Sequence, residues 1–165
     1  MAIQVAGIVK NSIVDGPGIR YAVFVQGCPH GCPGCHNPQT HPFTGGRQMG
    51  AEEIFQDFCR DPLVKGITLS GGEPFCQAKP LAELAKRVHG AGKDVVVYTG
   101  YTWEELAASQ DPDVQALLGQ ADLLIDGPFI QELRNLELSF RGSENQRLID
   151  LNKSRAQGRA VLWEG

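Results

Sequence analysis

No apolar run in these 165 residues approaches the ~18 that a membrane-spanning helix needs, so no membrane protein is expected. The opening stretch MAIQVAGIVK lacks the ordered basic start, apolar core and small-residue cleavage site of a secretory signal, and none is predicted. Excess positive charge is missing too. Lys and Arg number 15 against 19 Asp and Glu, and the net charge of -4 argues against wholesale nucleic-acid binding. No internal repeat, low-complexity tract or linker divides the chain, and the length suits one domain, residues 1–165, with one core. An even set of cysteines is also absent. There are five, three of them crowded among prolines and glycines. That is a poor basis for a disulfide framework and a better one for a metal site in a reducing cytoplasm.

The crowded window reads Cys28-Pro-His-Gly-Cys32-Pro-Gly-Cys35. The spacing C-x3-C-x2-C lets three thiolates converge from one loop, one short of the four ligands of a structural zinc site. An iron–sulfur cubane held by Cys28, Cys32 and Cys35 would leave one iron open for a further ligand. Zinc completed by His30, His36 or His41 is the alternative, although the second paired knuckle of common zinc folds is missing. Cys59, in a stretch of helical spacing, is expected as a buried small hydrophobe. Cys76, two residues past Pro74, is read as a non-ligand, because a fourth thiolate would block the open iron. His41 and His89 are expected on the surface or in loops.

Strand and helix signals alternate along the chain. Residues 21–25, 66–69, 94–98 and 121–125 read as strands, and 94–98 is nearly continuously apolar, as in a sheet covered on both faces. Helical spacing covers 49–60, 79–89 and 113–118, and Thr102-Trp-Glu-Glu105 resembles a capping box. The expected fold is α/β: a partial, open βα barrel with a mostly parallel sheet, since a full eight-unit barrel needs more residues than these. Ligands in such folds bind at the carboxyl ends of the strands. The cysteine loop, the Gly71-Gly72 turn, the Thr99-Gly100 turn and Asp126-Gly127 all fall there.

Cys28-x3-Cys32-x2-Cys35 after a strand, with Gly71-Gly72-Glu73-Pro74 after the next, resembles the radical S-adenosylmethionine superfamily. Asp15-Gly16-Pro17-Gly18-Ile19-Arg20 and Cys35-His36-Asn37-Pro38 resemble the activating enzymes of glycyl-radical proteins. Thr99-Gly100-Tyr101, Asp126-Gly127-Pro128-Phe129 and Phe140-Arg141-Gly142-Ser143-Glu144-Asn145-Gln146-Arg147 are similar to the anaerobic ribonucleoside-triphosphate reductase activating proteins. The resemblance runs from about Gly7 to Leu151. It implies a [4Fe-4S] cluster on the three cysteines, whose fourth iron takes the amino and carboxylate groups of S-adenosyl-L-methionine. One electron then cleaves the cofactor, and the resulting deoxyadenosyl radical takes a hydrogen from a glycine of the reductase. A reduced flavodoxin- or ferredoxin-type donor is implied as a second partner.

The same resemblance assigns cofactor contacts to Gly34, Cys35, His36, Gly71, Gly72, Glu73, Pro74 and Asp126. Gly71 and Gly72 would let backbone approach the methionine end, and Glu73 is a candidate for its ammonium. Many superfamily members carry an aromatic residue where Gly34 stands, so His36 becomes the candidate ring against adenine. The acidic residue that formate-lyase activators carry near Thr99-Gly100-Tyr101 is absent, which favours the reductase activators. An activase of another glycyl-radical enzyme, or a non-catalytic iron–sulfur or zinc module, stays as the alternative. Asp15-Gly16-Pro17-Gly18 is equally readable as a tight turn, and Asp126 as a cap. Arg134, Arg141, Arg147, Lys153, Arg155 and Arg159 read as a solvated face or a docking surface for the reductase.

Overall fold

The computed structural model describes residues 2–32, 35 and 38–164. Seven strands, β1 (Ala2–Ser12), β2 (Arg20–Val25), β3 (Arg47–Gly50), β4 (Gly66–Gly71), β5 (Asp94–Tyr98), β6 (Leu123–Asp126) and β7 (Arg147–Asp150), form one open sheet in the order β3-β1-β2-β4-β5-β6-β7. The central strands β2, β4, β5 and β6 are parallel. β1 runs against β2, β3 runs against β1, and β7 runs against β6. β3 therefore points with the central four, so five of seven strands share one direction, as expected of a partial βα barrel.

The period of two divides the central strands between two faces. Tyr21, Val23, Val25, Ile67, Leu69, Val95, Val97 and Leu124 belong to the main core. The helices α1 (Ala51–Phe58), α2 (Ala78–Gly90) and α4 (Pro112–Gln120) bury Ile54 and Phe58, Leu81, Leu84 and Val88, and Leu117 in that same core. The opposite face carries Val96, Leu123 and Ile125 with Tyr98, Leu148 and Trp163, and no helix of that core. The short α3 (Trp103–Ala107) opens with the full capping box foreseen at Thr102 and Glu105. α5 (Leu151–Gln157) is the last described helix, and the chain after it bridges back from Leu162 to Ile149.

Strands β1, β3 and β7 and helix α5 extend the sequence reading. The helix expected over 49–60 starts only at Ala51, because Arg47–Gly50 pairs with β1 instead. It ends at Phe58, so Cys59 sits at the C-cap and is exposed, not a buried hydrophobe. His89, expected on the surface or in a loop, is half-buried in the last turn of α2, with Nε2 2.6 Å from Asp122 and Nδ1 3.1 Å from Gln120. Two of the C-terminal cations are committed internally. Arg147 pairs with Asp126 and Glu104, and Arg155 donates to the carbonyls of Leu118 and Ala121.

Candidate functional site at the carboxyl ends of the strands

Register brings the chemistry together. Val25, the last residue of β2, pairs with Gly71 at the end of β4, so the cysteine loop and the glycine turn leave the sheet side by side. Leu69 pairs with Val97, which sets the Thr99 turn next to them. After β2 the chain turns at Gly27, whose N–H donates to Thr40 O at 2.7 Å, while Cys28 N–H donates to His41 O at 2.9 Å. The Gln26 side-chain amide donates to the carbonyls of Gln39 and Pro42, at 3.1 and 2.7 Å. Both ends of the cysteine loop are thereby tied to each other.

Cys28, Cys32 and Cys35 line one cavity of about 540 Å³ with His30, His41, Ser70, Gly71, Gly72 and Thr99. Its far wall comes from residues 127–146, where Phe129, Leu136, Leu138 and Phe140 line it. The three thiols are half-buried. Burial pushes the Cys28 thiol up, against which the backbone N–H groups of His30 and Gly31 favour the thiolate. Among the described residues, no three His, Cys, Asp or Glu side chains form a ready site for a metal ion. The thiols stand around a volume instead. Three soft sulfur ligands, backbone donors toward one sulfur and a cavity of this size fit an iron–sulfur cluster with a small molecule beside it.

The glycine turn is built for loop packing. Gly71 has φ +98°, and a Cβ there would lie 2.4 Å from Val25 N. A Cβ on Gly72 would lie 2.2 Å from Gly27 O and 3.0 Å from Thr40 O. Gly72 N–H and Glu73 N–H donate to Val25 O and Gly27 O, both at 2.8 Å. Both glycines line the cavity, yet what their missing Cβ atoms admit is backbone: the end of β2 at Gly71, and the base of the cysteine loop at Gly72.

Two carboxylates proposed as cofactor contacts have other partners. Glu73 is fully buried and accepts from Thr99 Oγ1 at 2.9 Å, Gly100 N–H at 2.8 Å, Phe75 N–H at 3.1 Å and His30 Nε2 at 2.6 Å. It is not among the cavity-lining residues. Pro74, also buried, opens the 3-10 turn Pro74–Gln77. Asp126, 1% exposed, accepts from Trp103 N–H at 2.8 Å and from Arg147 Nε at 3.1 Å. It anchors the start of α3, the cap reading, while its neighbour Gly127 reaches the cavity. Gly34 and His36 lie outside the described residues. Cys76 is exposed, and its thiol is pushed up to about 11 by burial of the sulfur and by the Glu73 charge, opposed by a hydrogen bond with Tyr101.

The Asp15–Arg20 segment combines both of its readings. Gly16 and Gly18 have φ +123° and +82°, as a tight turn demands, and Asp15 lines the cavity. Arg20 is fully buried and donates to Thr68 Oγ1, Pro17 O and Ile67 O at 2.7, 3.0 and 2.8 Å, while Thr68 donates to Asp15 O at 2.6 Å. Sequence reasoning gave no role to His30 beyond zinc, nor to Tyr98, which lines the cavity and donates to Phe140 O at 2.7 Å. The position of His30 between two cysteines was the available signal.

The model of a 4Fe-4S single cluster domain matches residues 14–149. The anaerobic ribonucleoside-triphosphate reductase-activating protein of Vibrio cholerae serotype O1 is 42% identical over 143 residues, covering 81% of this chain and 89% of that protein. Its counterpart in Escherichia coli K12 is 39% identical over 146 residues, covering 81% and 90%. That of Enterobacteria phage T4 is 32% identical over 141 residues, covering 82% and 86%. The crystal structure of QueE from Escherichia coli superposes with a TM-score of 0.53 at 18% identity, over 62% of this chain and 54% of that one, a likeness of fold. Similarity on this scale reaches far beyond the cysteine motif, and the chain belongs to the anaerobic ribonucleoside-triphosphate reductase-activating protein family.

Proposed function

We propose that this chain is a radical S-adenosylmethionine activase that generates a glycyl radical on an anaerobic ribonucleoside-triphosphate reductase. The carrying observation is the single cavity that Cys28, Cys32 and Cys35 share with the Gly71-Gly72 turn, in a chain of this family. Cys28, Cys32 and Cys35 would hold the [4Fe-4S] cluster, and the backbone of the glycine turn would face the methionine end of the cofactor. When bound, the pair supplies one-electron cleavage of a carbon–sulfur bond. The chain's own residues shape the cavity: Tyr98 donates to Phe140 O, and residues of the stretch 127–146 form the wall facing the thiols. One sheet with one main core supports reading residues 1–165 as a single domain. No described helix is long and apolar enough to cross a membrane. Five free cysteines support a reducing cytoplasm, where a flavodoxin- or ferredoxin-type donor would deliver the electron.

The test is anaerobic reconstitution with iron and sulfide, reduction, and EPR with and without S-adenosylmethionine, followed by mixing with the reductase. The expected result is a cluster signal that shifts with the cofactor and a glycine-centred radical on the reductase. A signal indifferent to the cofactor would turn the reading toward an electron carrier, and zinc retained without a cluster would end it. Replacing Cys28, Cys32 or Cys35 by Ala should abolish cofactor cleavage, whereas Cys59→Ala should leave its rate nearly unchanged.

A further inference from the structure

His30 lies between Cys28 and Cys32 in the chain, and its ring is held from three directions. Nε2 lies 2.6 Å from Oε1 of the fully buried Glu73. Tyr101 meets the ring edge-on, with centroids 4.6 Å apart. On a further side lies bare backbone: a Cβ on Gly100 would sit 2.4 Å from His30 Cδ2 and 2.6 Å from Nε2. Only glycine at 100 admits the ring in that place. Glu73 is itself fixed by Thr99, Gly100 and Phe75. One carboxylate thus joins the cysteine loop, the glycine turn and the Thr99 turn, the three segments that meet at the cavity.

We propose that His30 and Glu73 form a latch that fixes the cysteine loop against the two turns facing it. This makes His30 a positioning residue for the cluster and Glu73 a structural carboxylate, not a partner of the methionine ammonium. The inference rests on the reading that the three thiols hold the cluster. His30 acts through its own loop, because its ring, held by Glu73 and Tyr101, anchors the backbone between Cys28 and Cys32. Loss of a group that orients a metal ligand lowers metal affinity by about 10- to 100-fold.

The test compares His30→Ala, His30→Gln and Glu73→Gln in the full chain. In the cluster-free protein, amide hydrogen exchange at Gly27 and Cys28, whose N–H groups donate to Thr40 and His41, should be about 10-fold faster in His30→Ala. In the reconstituted protein, that variant should lose iron to a chelator about 10- to 100-fold faster and show a shifted reduction potential and altered EPR line shape. His30→Gln, whose amide can still donate to Glu73, should recover most of both. Glu73→Gln should keep wild-type affinity for S-adenosylmethionine wherever it keeps its cluster. His30→Ala matching the wild type in exchange, iron release and potential would overturn the latch. So would Glu73→Gln losing the cofactor with its cluster intact. A wild-type chain that takes up no cluster would instead sink the underlying reading, while the exchange rates still decide the latch.

Discussion

Tyr21 has an apolar body and a polar tip with separate tasks. Its ring is buried edge-on against Phe58, with centroids 5.7 Å apart, while its hydroxyl donates to Asp57 Oδ2 at 2.7 Å. That bond, more than the nearby Lys10, holds the Asp57 carboxyl below its ordinary value. Burial, then Asp57 itself, pushes the Tyr21 phenol well above its own. The two groups bear on stability from opposite ends of the pH scale. A lowered carboxyl contributes stability above the ordinary carboxylate range, lost as pH falls through its folded value. A raised phenol contributes below about pH 10, lost as pH rises toward its folded value. Tyr21→Phe should therefore cost about 1–2 kcal/mol near neutrality and flatten both limbs. Urea-unfolding midpoints from acid to alkaline pH check it, and unchanged limbs would show that the pair does not govern them.

Glycines within the elements separate into those that make room and those that only loosen the backbone. Gly119, inside α4 with open space where its Cβ would stand, belongs to the second kind. Gly119→Ala should stabilise by about 0.5–1 kcal/mol, read as a rise in Tm of a few degrees. Gly72 is of the first kind, and Gly72→Ala should cost about 2 kcal/mol or more and lower iron uptake together with Tm. Iron uptake unharmed in a destabilised chain would count against that packing role. Elements with strong local signals were legible in advance. The apolar β5, the capping box of α3 and the cysteine loop after β2 all lie where their residues predict. The four-residue strands β3 and β7 carry too short a pattern to read, and β1 is interrupted by irregular register at Gly7 and beyond. The partners of Glu73 and Asp126 were illegible for another reason. Thr99 lies 26 positions from Glu73 and Arg147 lies 21 from Asp126, and no local pattern reports a carboxylate turned inward.

Across the whole molecule, Arg147 ties the last strand to the rest. From β7 it reaches Asp126 on β6 and Glu104 on α3. Asp126 is fully buried, so Arg147→Met would leave it with the Trp103 N–H and little else. The expected cost is about 3 kcal/mol, and a fall in Tm of about 10 °C. A change of under about 1 kcal/mol would mean the pair behaves as an exposed one.

The bonds that frame the cysteine loop, from Gly27 to Thr40, from Cys28 to His41 and from His30 to Glu73, all run from protein to protein. Small metal domains whose fold waits for the ion behave in the opposite way. The frame of the cysteine loop is made of the chain's own hydrogen bonds. Oxygen that destroyed a cluster held here would leave these three bonds untouched.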